Sequence, residues 1–150
     1  MFREVVGDLF HYYGRDPYIV LITTNGTLKK NGKNPMGRGC AAEARLKISG
    51  IERLVGANIQ TFGNKMLVTE NGWGTFPVKH QWWEPADPEL IVASANDLKK
   101  LAESATFRDK IFILGRPGCG NGKLHWSVVG PLLRGVNLPD NVWIISRSIL

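Results

Sequence analysis

Apolar and polar positions follow one another along the chain in blocks that predict a succession of strands and helices. The clearest strand is 18–24, YIVLITT, which is nearly continuous in apolar and β-branched residues. Such a run is typical of a strand that is covered on both faces. Shorter strands are predicted near the N-terminus at Val5-Val6 and later at 65–69, 75–78, 111–114 and 142–145.

Helices are predicted between these strands. Residues 41–48 are rich in good helix formers, and 51–62 carry apolar residues on one side. Asp87 and Pro88 begin a long third helix in the preferred manner, as N-cap and first helical residue. A fourth helix is predicted over 127–134. This alternation predicts one α/β domain over residues 1–150, with three α/β/α layers and a central mixed, largely parallel sheet.

Composition is ordinary for a soluble globular protein, with 43% hydrophobic and 21% charged residues. No apolar run approaches the ~20 residues of a membrane helix, and the N-terminus lacks the features of a signal peptide. We therefore expect a cytoplasmic protein that does not associate with membranes. Its two cysteines, Cys40 and Cys119, exclude a disulfide scaffold. The net charge of +6 suits a nucleotide or nucleic acid as partner, and it also suits simple solubility.

Two glycine-rich loops stand immediately before predicted helices. They are Met36–Cys40, MGRGC, and Gly118–Gly122, GCGNG, of which the second follows the strand at 111–114. Glycine lets the backbone approach a ligand, and the first N–H groups of a helix have no intrahelical partner. Two such loops at one sheet edge predict a site that holds two phosphates or clamps one diphosphate. Tight turns without a ligand would have the same appearance.

These motifs resemble the macro domain family. The loops MGRGCAAEA and GRPGCGNGKLHW are accompanied by Gly7-Asp8-Leu9, Asn25, and Phe76-Pro77-Val78-Lys79 followed by His80 and Trp82-Trp83. The pattern extends from about residue 5 to residue 145. It is most similar to the branch of the DNA ADP-ribosyl glycohydrolase antitoxins and terminal ADP-ribose hydrolases. The resemblance implies a macro domain fold that binds ADP-ribose, or a closely related nucleotide, between the two loops.

Residue by residue, the resemblance implies roles along this cleft. Asp8 would accept a hydrogen bond from the adenine amino group, with the Leu9 N–H reading a ring nitrogen. Asn25 would lie near the distal ribose. The first loop would wrap that ribose and a phosphate through Gly37, Arg38, Gly39 and Cys40. The second loop would hold the diphosphate through Gly118, Cys119, Gly120, Asn121 and Gly122. As alternatives, Asp8 is a turn-capping aspartate and Asn25 a turn asparagine.

Lys79 is the predicted catalytic residue. The resemblance implies that a lysine at the end of the FPxK strand removes ADP-ribose, and a lysine of depressed pKa can form an imine with the opened sugar. The alternative is an ordinary surface lysine. Some relatives carry an aspartate in the second loop, where this chain has Asn121 and Gly122. Lys123 stands where the family pattern has a glycine, and it either adds a cation near the phosphates or points to solvent.

Several side chains keep two interpretations. Cys40 and Cys119 are expected to be small fillers, because no basic partner that would stabilise a thiolate is identifiable. Trp82 and Trp83 could stack on a substrate base, or one of them could pack beneath the following helix. No aromatic residue follows Trp143, so the adenine contact falls to Arg147 or a loop aromatic, or is weak. The histidines lack metal-ligand spacing, so no metal is predicted. No cofactor is expected either.

The function expected from the resemblance is removal of ADP-ribose from a modified nucleic acid or protein. The partner is accordingly ADP-ribose or an ADP-ribosylated substrate, including DNA. Three alternatives remain: a non-catalytic ADP-ribose-binding module, a phosphatase acting on ADP-ribose 1″-phosphate, and a plain nucleic-acid binder. The last would use a basic cluster formed by Lys29, Lys30, Lys33 and Arg38.

Overall fold

A five-stranded parallel sheet forms the centre of the computed structural model, which describes residues 1–147. Its strands are β1 (Arg3–Val6), β2 (Tyr18–Asn25), β3 (Trp73–Lys79), β4 (Ile111–Gly115) and β5 (Val142–Ser146). They lie in the order β1-β5-β4-β2-β3, and every neighbouring pair is parallel. The largely parallel sheet is therefore confirmed, while the expected mixed character is not found among the described strands. Residues 148–150 lie outside the described part, so the extent of the domain stays a prediction.

Four α-helices accompany the sheet: α1 (Gly39–Lys47), α2 (Ile51–Phe62), α3 (Pro88–Glu103) and α4 (Trp126–Val136). A short 3₁₀ helix, Leu9–Tyr12, was not predicted. The start of α3 is as expected, because the Asp87 side chain accepts a hydrogen bond from the Glu89 N–H at 3.0 Å. Among the helices described, none combines the length and the apolar character that a bilayer-spanning segment requires.

The prediction of a strand at 65–69 is wrong. This segment makes only an isolated antiparallel bridge between Val68 and Gly74. Beside the bridge, the Thr75 N–H donates to the Leu67 carbonyl at 2.8 Å, and the Leu67 N–H donates to Thr75 Oγ1 at 2.9 Å. The segment therefore covers the outer edge of β3 without extending the sheet, which keeps that edge from pairing with another chain.

Buried apolar side chains lie on both faces of the sheet, as its continuous apolar strands predict. On one face α3 and α4 pack against the strands, in a core that includes Phe76, Ile91, Leu98, Phe112 and Leu133. On the other face α1 and α2 do so, in a core that includes Val20, Ile22, Ile51, Val55 and Ile113. The predicted three-layer α/β/α arrangement is thereby confirmed.

All five strands end at the same edge of the sheet because they are parallel. The loops that leave this edge include the second glycine-rich loop, after β4, and the long connection from β2 to α1 that contains the first. In open α/β sheets, ligands bind at this edge, in the crevice outside the strand ends. The topology therefore brings together two loops that are about 80 residues apart in the sequence.

Helix α2 holds the connection after β2 through a close backbone contact. A Cβ at Gly56 would overlap the carbonyl oxygen of Gly32. Next to this contact, the Asn34 N–H donates to the Glu52 carbonyl at 2.9 Å, and Asn34 is fully buried. The connection is therefore packed against the helix over its middle part, although its composition is polar and basic.

We expect Gly56→Ala to lower the free energy of unfolding by about 1–3 kcal/mol, because the new methyl group must displace backbone. The matched control is Gly135→Ala in α4, where a Cβ meets no atom within 4 Å. That change should be neutral or raise the free energy by up to about 1 kcal/mol, since alanine is the better helix former. Urea unfolding measures both, and equal values for the two variants would contradict the proposed contact.

Candidate functional site

A cleft of about 930 Å³ opens at the carboxyl edge of the sheet. Its size lies in the range of small-molecule sites. Residues at or just beyond the ends of all five strands contribute to its walls. The structure brings every residue nominated from the sequence into this lining: Asp8, Leu9, Asn25, Gly37, Arg38, Gly39, Cys40, Lys79, Gly118, Cys119, Gly120, Asn121 and Gly122.

The two glycine-rich loops meet across the cleft at Gly39 and Asn121. Gly39 has a φ of +59°, and a Cβ there would lie only 2.8 Å from Nδ2 of Asn121. The left-handed backbone favours glycine at this position, and a side chain there would also have to displace the Asn121 amide. The two loops are neighbours at this point, so a ligand held by one loop is also adjacent to the other.

The second loop is stabilised by its own backbone. The Leu124 N–H donates to the Gly118 carbonyl at 3.0 Å, and the Lys123 N–H donates to the Gly120 carbonyl at 2.9 Å. A Cβ at Gly122 would overlap the Gly118 carbonyl, so the loop closes only with glycine there. Because these bonds lie within the loop itself, they preorganise it for binding, which reduces the cost of ordering it.

Lys123 has a left-handed backbone, with a φ of +67°, and an exposed side chain. The macro domain pattern that the sequence resembles has a glycine at this position. The conformation that favours glycine is thus retained although the residue differs. A non-glycine residue here costs about 1–2 kcal/mol. Lys123 therefore adopts an unfavourable backbone conformation at the rim of the second loop.

Asp8 lies at one end of the cleft, where the turn-cap interpretation holds. Its Oδ1 accepts a hydrogen bond from the Phe10 N–H at 3.1 Å and caps the 3₁₀ helix. A carboxylate can accept several hydrogen bonds, so acceptor capacity remains for a ligand. Phe10 and Arg147 also line the cleft, and Arg147 pairs with Glu43 at 3.9 Å. Both kinds of side chain considered for an adenine contact are therefore present.

Asn25 organises the connection that follows β2. Its Nδ2 donates to the Pro35 carbonyl at 3.0 Å, and its Oδ1 accepts from the Thr27 N–H at 3.0 Å. Asn34 Nδ2 adds contacts to the Asn25 carbonyl, to Asn25 Oδ1 and to the Thr27 carbonyl at 2.8–3.1 Å. The turn-asparagine interpretation is therefore realised in a residue that also faces the cleft. An amide nitrogen carries two hydrogens, so one donor remains for a ligand.

Lys79 ends β3 and is in register with Asn25 at the end of β2. Its carbonyl accepts from the Gly26 N–H at 3.1 Å and from Asn64 Nδ2 at 2.9 Å, which fixes the backbone. Burial, followed by the positive charges of Arg38 and Lys123, lowers the pKa of Lys79. The three cations together make this part of the cleft attractive to an anion.

The turn after Lys79 is tied to the start of α3. His80 Nε2 and Asp87 Oδ2 are 2.7 Å apart, and the Asp87 N–H donates to the Val78 carbonyl at 2.9 Å. The hydrogen bond with His80 is the main cause that lowers the pKa of the Asp87 carboxyl. The segment from His80 to Asp87 is thus anchored at both ends.

The two cysteines are poorly suited to nucleophilic chemistry. Cys40 Sγ lies 3.1 Å from Thr23 Oγ1, and burial raises the pKa of its thiol. Burial also raises the pKa of Cys119, an effect that the charge of Arg116 partly offsets. Both thiols therefore stay protonated at neutral pH. This supports the interpretation that they fill space inside the loops.

Sequence reasoning missed several residues of the lining, among them the polar or charged side chains of Thr23, Glu43 and Arg116. Arg116 directly follows β4, so its position at the carboxyl end of a parallel strand was a usable signal. Its guanidinium lies 4.9 Å from the ring centroid of Trp126. Thr23 and Glu43 gave no comparable signal. Within residues 1–147, no group of three or more His, Cys, Asp or Glu side chains could hold a metal ion.

Solved structures similar to this chain include macrodomains. The macrodomain of Mycobacterium tuberculosis DarG aligns with a TM-score of 0.74 and 24% identity, over 97% of this chain and 96% of that one. The macrodomain of Thermus aquaticus DarG aligns with a TM-score of 0.74 and 20% identity, over 97% of this chain and 98% of that one. Thermosipho africanus DarTG in complex with ADP-ribose aligns with a TM-score of 0.72 and 18% identity, over 96% of this chain and 41% of that one. No protein-family model and no curated protein matches the sequence. The chain therefore has the macrodomain fold.

We expect Lys123→Gly to raise the free energy of unfolding relative to Lys123→Ala by about 1 kcal/mol, because only glycine adopts the left-handed conformation without strain. Both variants remove the same charge, so the comparison isolates the backbone effect. Thermal and urea unfolding of the pair measure the difference. A Lys123→Ala protein at least as stable as Lys123→Gly would contradict the left-handed assignment.

Proposed function

We propose that this protein binds ADP-ribose in the cleft between its two glycine-rich loops and removes it from a modified nucleic acid or protein. The observation that carries the proposal is the position of Lys79, a half-buried lysine of lowered pKa at a strand end inside the cleft. Support also comes from the shared fold, since the similar Thermosipho africanus DarTG was solved in complex with ADP-ribose.

The cleft offers complementary chemistry for each part of this ligand. Adenine lies toward Asp8 and Phe10, where a carboxylate and an aromatic ring line the wall. The diphosphate lies between the two loops, whose glycines allow close backbone approach. The distal ribose then reaches Asn25 and Lys79 at the neighbouring ends of β2 and β3. This orientation directs the bond between the distal ribose and the acceptor group toward Lys79.

Lys79 supplies the chemistry in this proposal. Its neutral amine attacks C1″ of the distal ribose while the bond from C1″ to the acceptor group breaks, and a proton from the amine passes to that group. Loss of a second proton from nitrogen to the ring oxygen opens the sugar and leaves an imine. Water then adds to the imine carbon and releases ADP-ribose and the free lysine. A lowered pKa favours this route because it raises the neutral fraction of the amine.

The second loop supports the assignment of chemistry to Lys79. Its sequence from Gly118 to Lys123 contains no carboxylate that could activate water. The loop instead contributes backbone groups and, at Lys123, a positive charge that acts on Lys79. In this proposal the loop binds the diphosphate and the opposite wall performs the reaction.

One observation favours a second function, a binding module without chemistry. Lys79 Nζ donates to the Trp82 carbonyl at 3.5 Å, so this side chain already has a structural role that needs no chemistry. Calorimetry with ADP-ribose, followed by turnover assays on ADP-ribosylated DNA and protein, separates the two. Binding without turnover on either substrate would favour the module.

We expect Lys79→Ala to abolish release of ADP-ribose, by a factor of at least about 10² if the amine forms the covalent intermediate. ADP-ribose affinity should change far less, because the loops hold the diphosphate. The matched control is Lys100→Ala on the exposed side of α3, which should leave both quantities unchanged. Unaltered turnover in Lys79→Ala would refute the catalytic role.

Turnover should rise with pH as the Lys79 amine loses its proton, with a midpoint below the ordinary pKa of lysine. Lys123→Ala removes a nearby positive charge, so the ammonium form of Lys79 becomes more favourable and its pKa rises. The rising limb should therefore move to higher pH in that variant. The pH profile of kcat/KM reports this shift. A limb that stays in place or moves to lower pH would argue against the electrostatic coupling.

A further inference from the structure

Two tryptophans beside Lys79 are exposed to solvent. Trp82 lines the mouth of the cleft, and the neighbouring Trp83 extends the aromatic surface outside it. Their exposures are 51% and 64%, and their ring centroids are 5.8 Å apart at an interplanar angle of 88°. Neither indole is buried, so the alternative in which one of them packs beneath α3 is not realised. Adjacent exposed indoles on a soluble protein mark an interaction site.

We propose that Trp82 and Trp83 form a stacking subsite for unpaired bases of a single-stranded nucleic acid at the mouth of the cleft. The inference rests on the proposed function for the chemistry at Lys79, whereas the binding it predicts is independent of turnover. In this arrangement the strand is held outside the cleft, and the nucleotide that bears the ADP-ribose group is directed toward Lys79.

The turn that carries the indoles is held in place by Thr27. The Thr27 hydroxyl donates to Gln81 Oε1 at 2.8 Å and accepts from the Trp82 N–H at 2.9 Å. Gly26 adds a hydrogen bond from its N–H to the His80 carbonyl at 3.0 Å. With the His80–Asp87 contact at the other end, the turn is anchored on both sides. Preorganised aromatic groups lose little conformational freedom on binding.

Positively charged side chains lie on the Lys79 side of the aromatic pair. Lys79 Nζ contacts the Trp82 carbonyl, and Arg38 and Lys123 are close enough to lower the pKa of Lys79. The connection that Thr27 joins to this turn also carries Lys29, Lys30 and Lys33. Together with the net charge of +6, this distribution complements a phosphate backbone.

The combination of cations and indoles favours a single strand over other polyanions. An acidic peptide would satisfy the charges and would make no special use of two aromatic faces. A duplex hides its base faces in the stack, so it could contact the lysines and not the indoles. Single strands offer both a phosphate backbone and accessible bases, and stacking on aromatic residues is tolerant of sequence.

The test measures binding of a fluorescein-labelled, non-self-complementary DNA strand by anisotropy. Trp82→Leu and Trp83→Leu keep the apolar character and remove the aromatic face. Each should weaken strand binding about 5- to 150-fold. Trp82→Phe and Trp83→Phe should restore part of the affinity, because a smaller ring still stacks. Both indoles are exposed, so these variants should unfold like the wild type.

Two readouts separate stacking from charge and from the cleft. The slope of log affinity against log salt should be unchanged in Trp83→Leu, since phosphate contacts persist. ADP-ribose affinity should also be unchanged in Trp83→Leu, because Trp83 does not line the cleft. Strand binding that depends on the indoles would support the subsite even if no turnover is found, in which case only the proposed function fails.

Three outcomes would overturn the subsite. They are wild-type strand affinity in both leucine variants, equal affinity for a duplex of the same length, and equal affinity for an acidic peptide of the same charge. Any of these, with ADP-ribose binding and turnover intact, would leave the proposed function standing without the subsite.

Discussion

The parallel pairing of β2 with β4 on one side and β3 on the other is the constraint on which the site depends. It aligns the end of β2 with the end of β3, so Asn25 and Lys79 become neighbours although they are 54 positions apart in the sequence. The same alignment directs the connections after β2 and β4 to one edge. Backbone hydrogen bonds in a ladder leave little freedom of register in a sheet buried on both faces. The distances within the cleft are therefore set largely by the sheet.

Close backbone contacts then convert this edge into a cleft of defined width. Gly39 approaches Asn121 across the opening, Gly122 closes the second loop on Gly118, and Gly56 supports the connection after β2. The backbone contacts of Gly122 and Gly56 leave no room for a side chain, so they preorganise the two segments for binding. Lys123 departs from this pattern by keeping a left-handed backbone with a side chain attached. The Lys123 side chain also contributes a positive charge that lowers the pKa of Lys79.

Sequence patterns were sufficient to predict the three layers and most of the boundaries of the helices and strands. Asp87 and Pro88 located the start of α3, and continuous apolar runs identified β2 and β4, because burial on both faces leaves a strong signal. The segment at 65–69 has the same apolar character without pairing as a sheet strand, since residues that cover an edge also bury side chains. The 3₁₀ helix at Leu9–Tyr12 is too short to have a periodic signal, although its capping residue, Asp8, was recognised.

The sequence by itself determined which residues could serve a cleft of this kind, because glycine spacing and strand-end positions are local properties. It left open whether Asp8 and Asn25 act in turns or at a ligand, and the structure gives each a turn contact as well as a place in the cleft wall. Only the tertiary structure decided that Trp82 and Trp83 are exposed. It also decided that Arg38 and Lys123 act on Lys79. Exposure and electrostatic coupling depend on which distant segments pack together, and no local pattern records that.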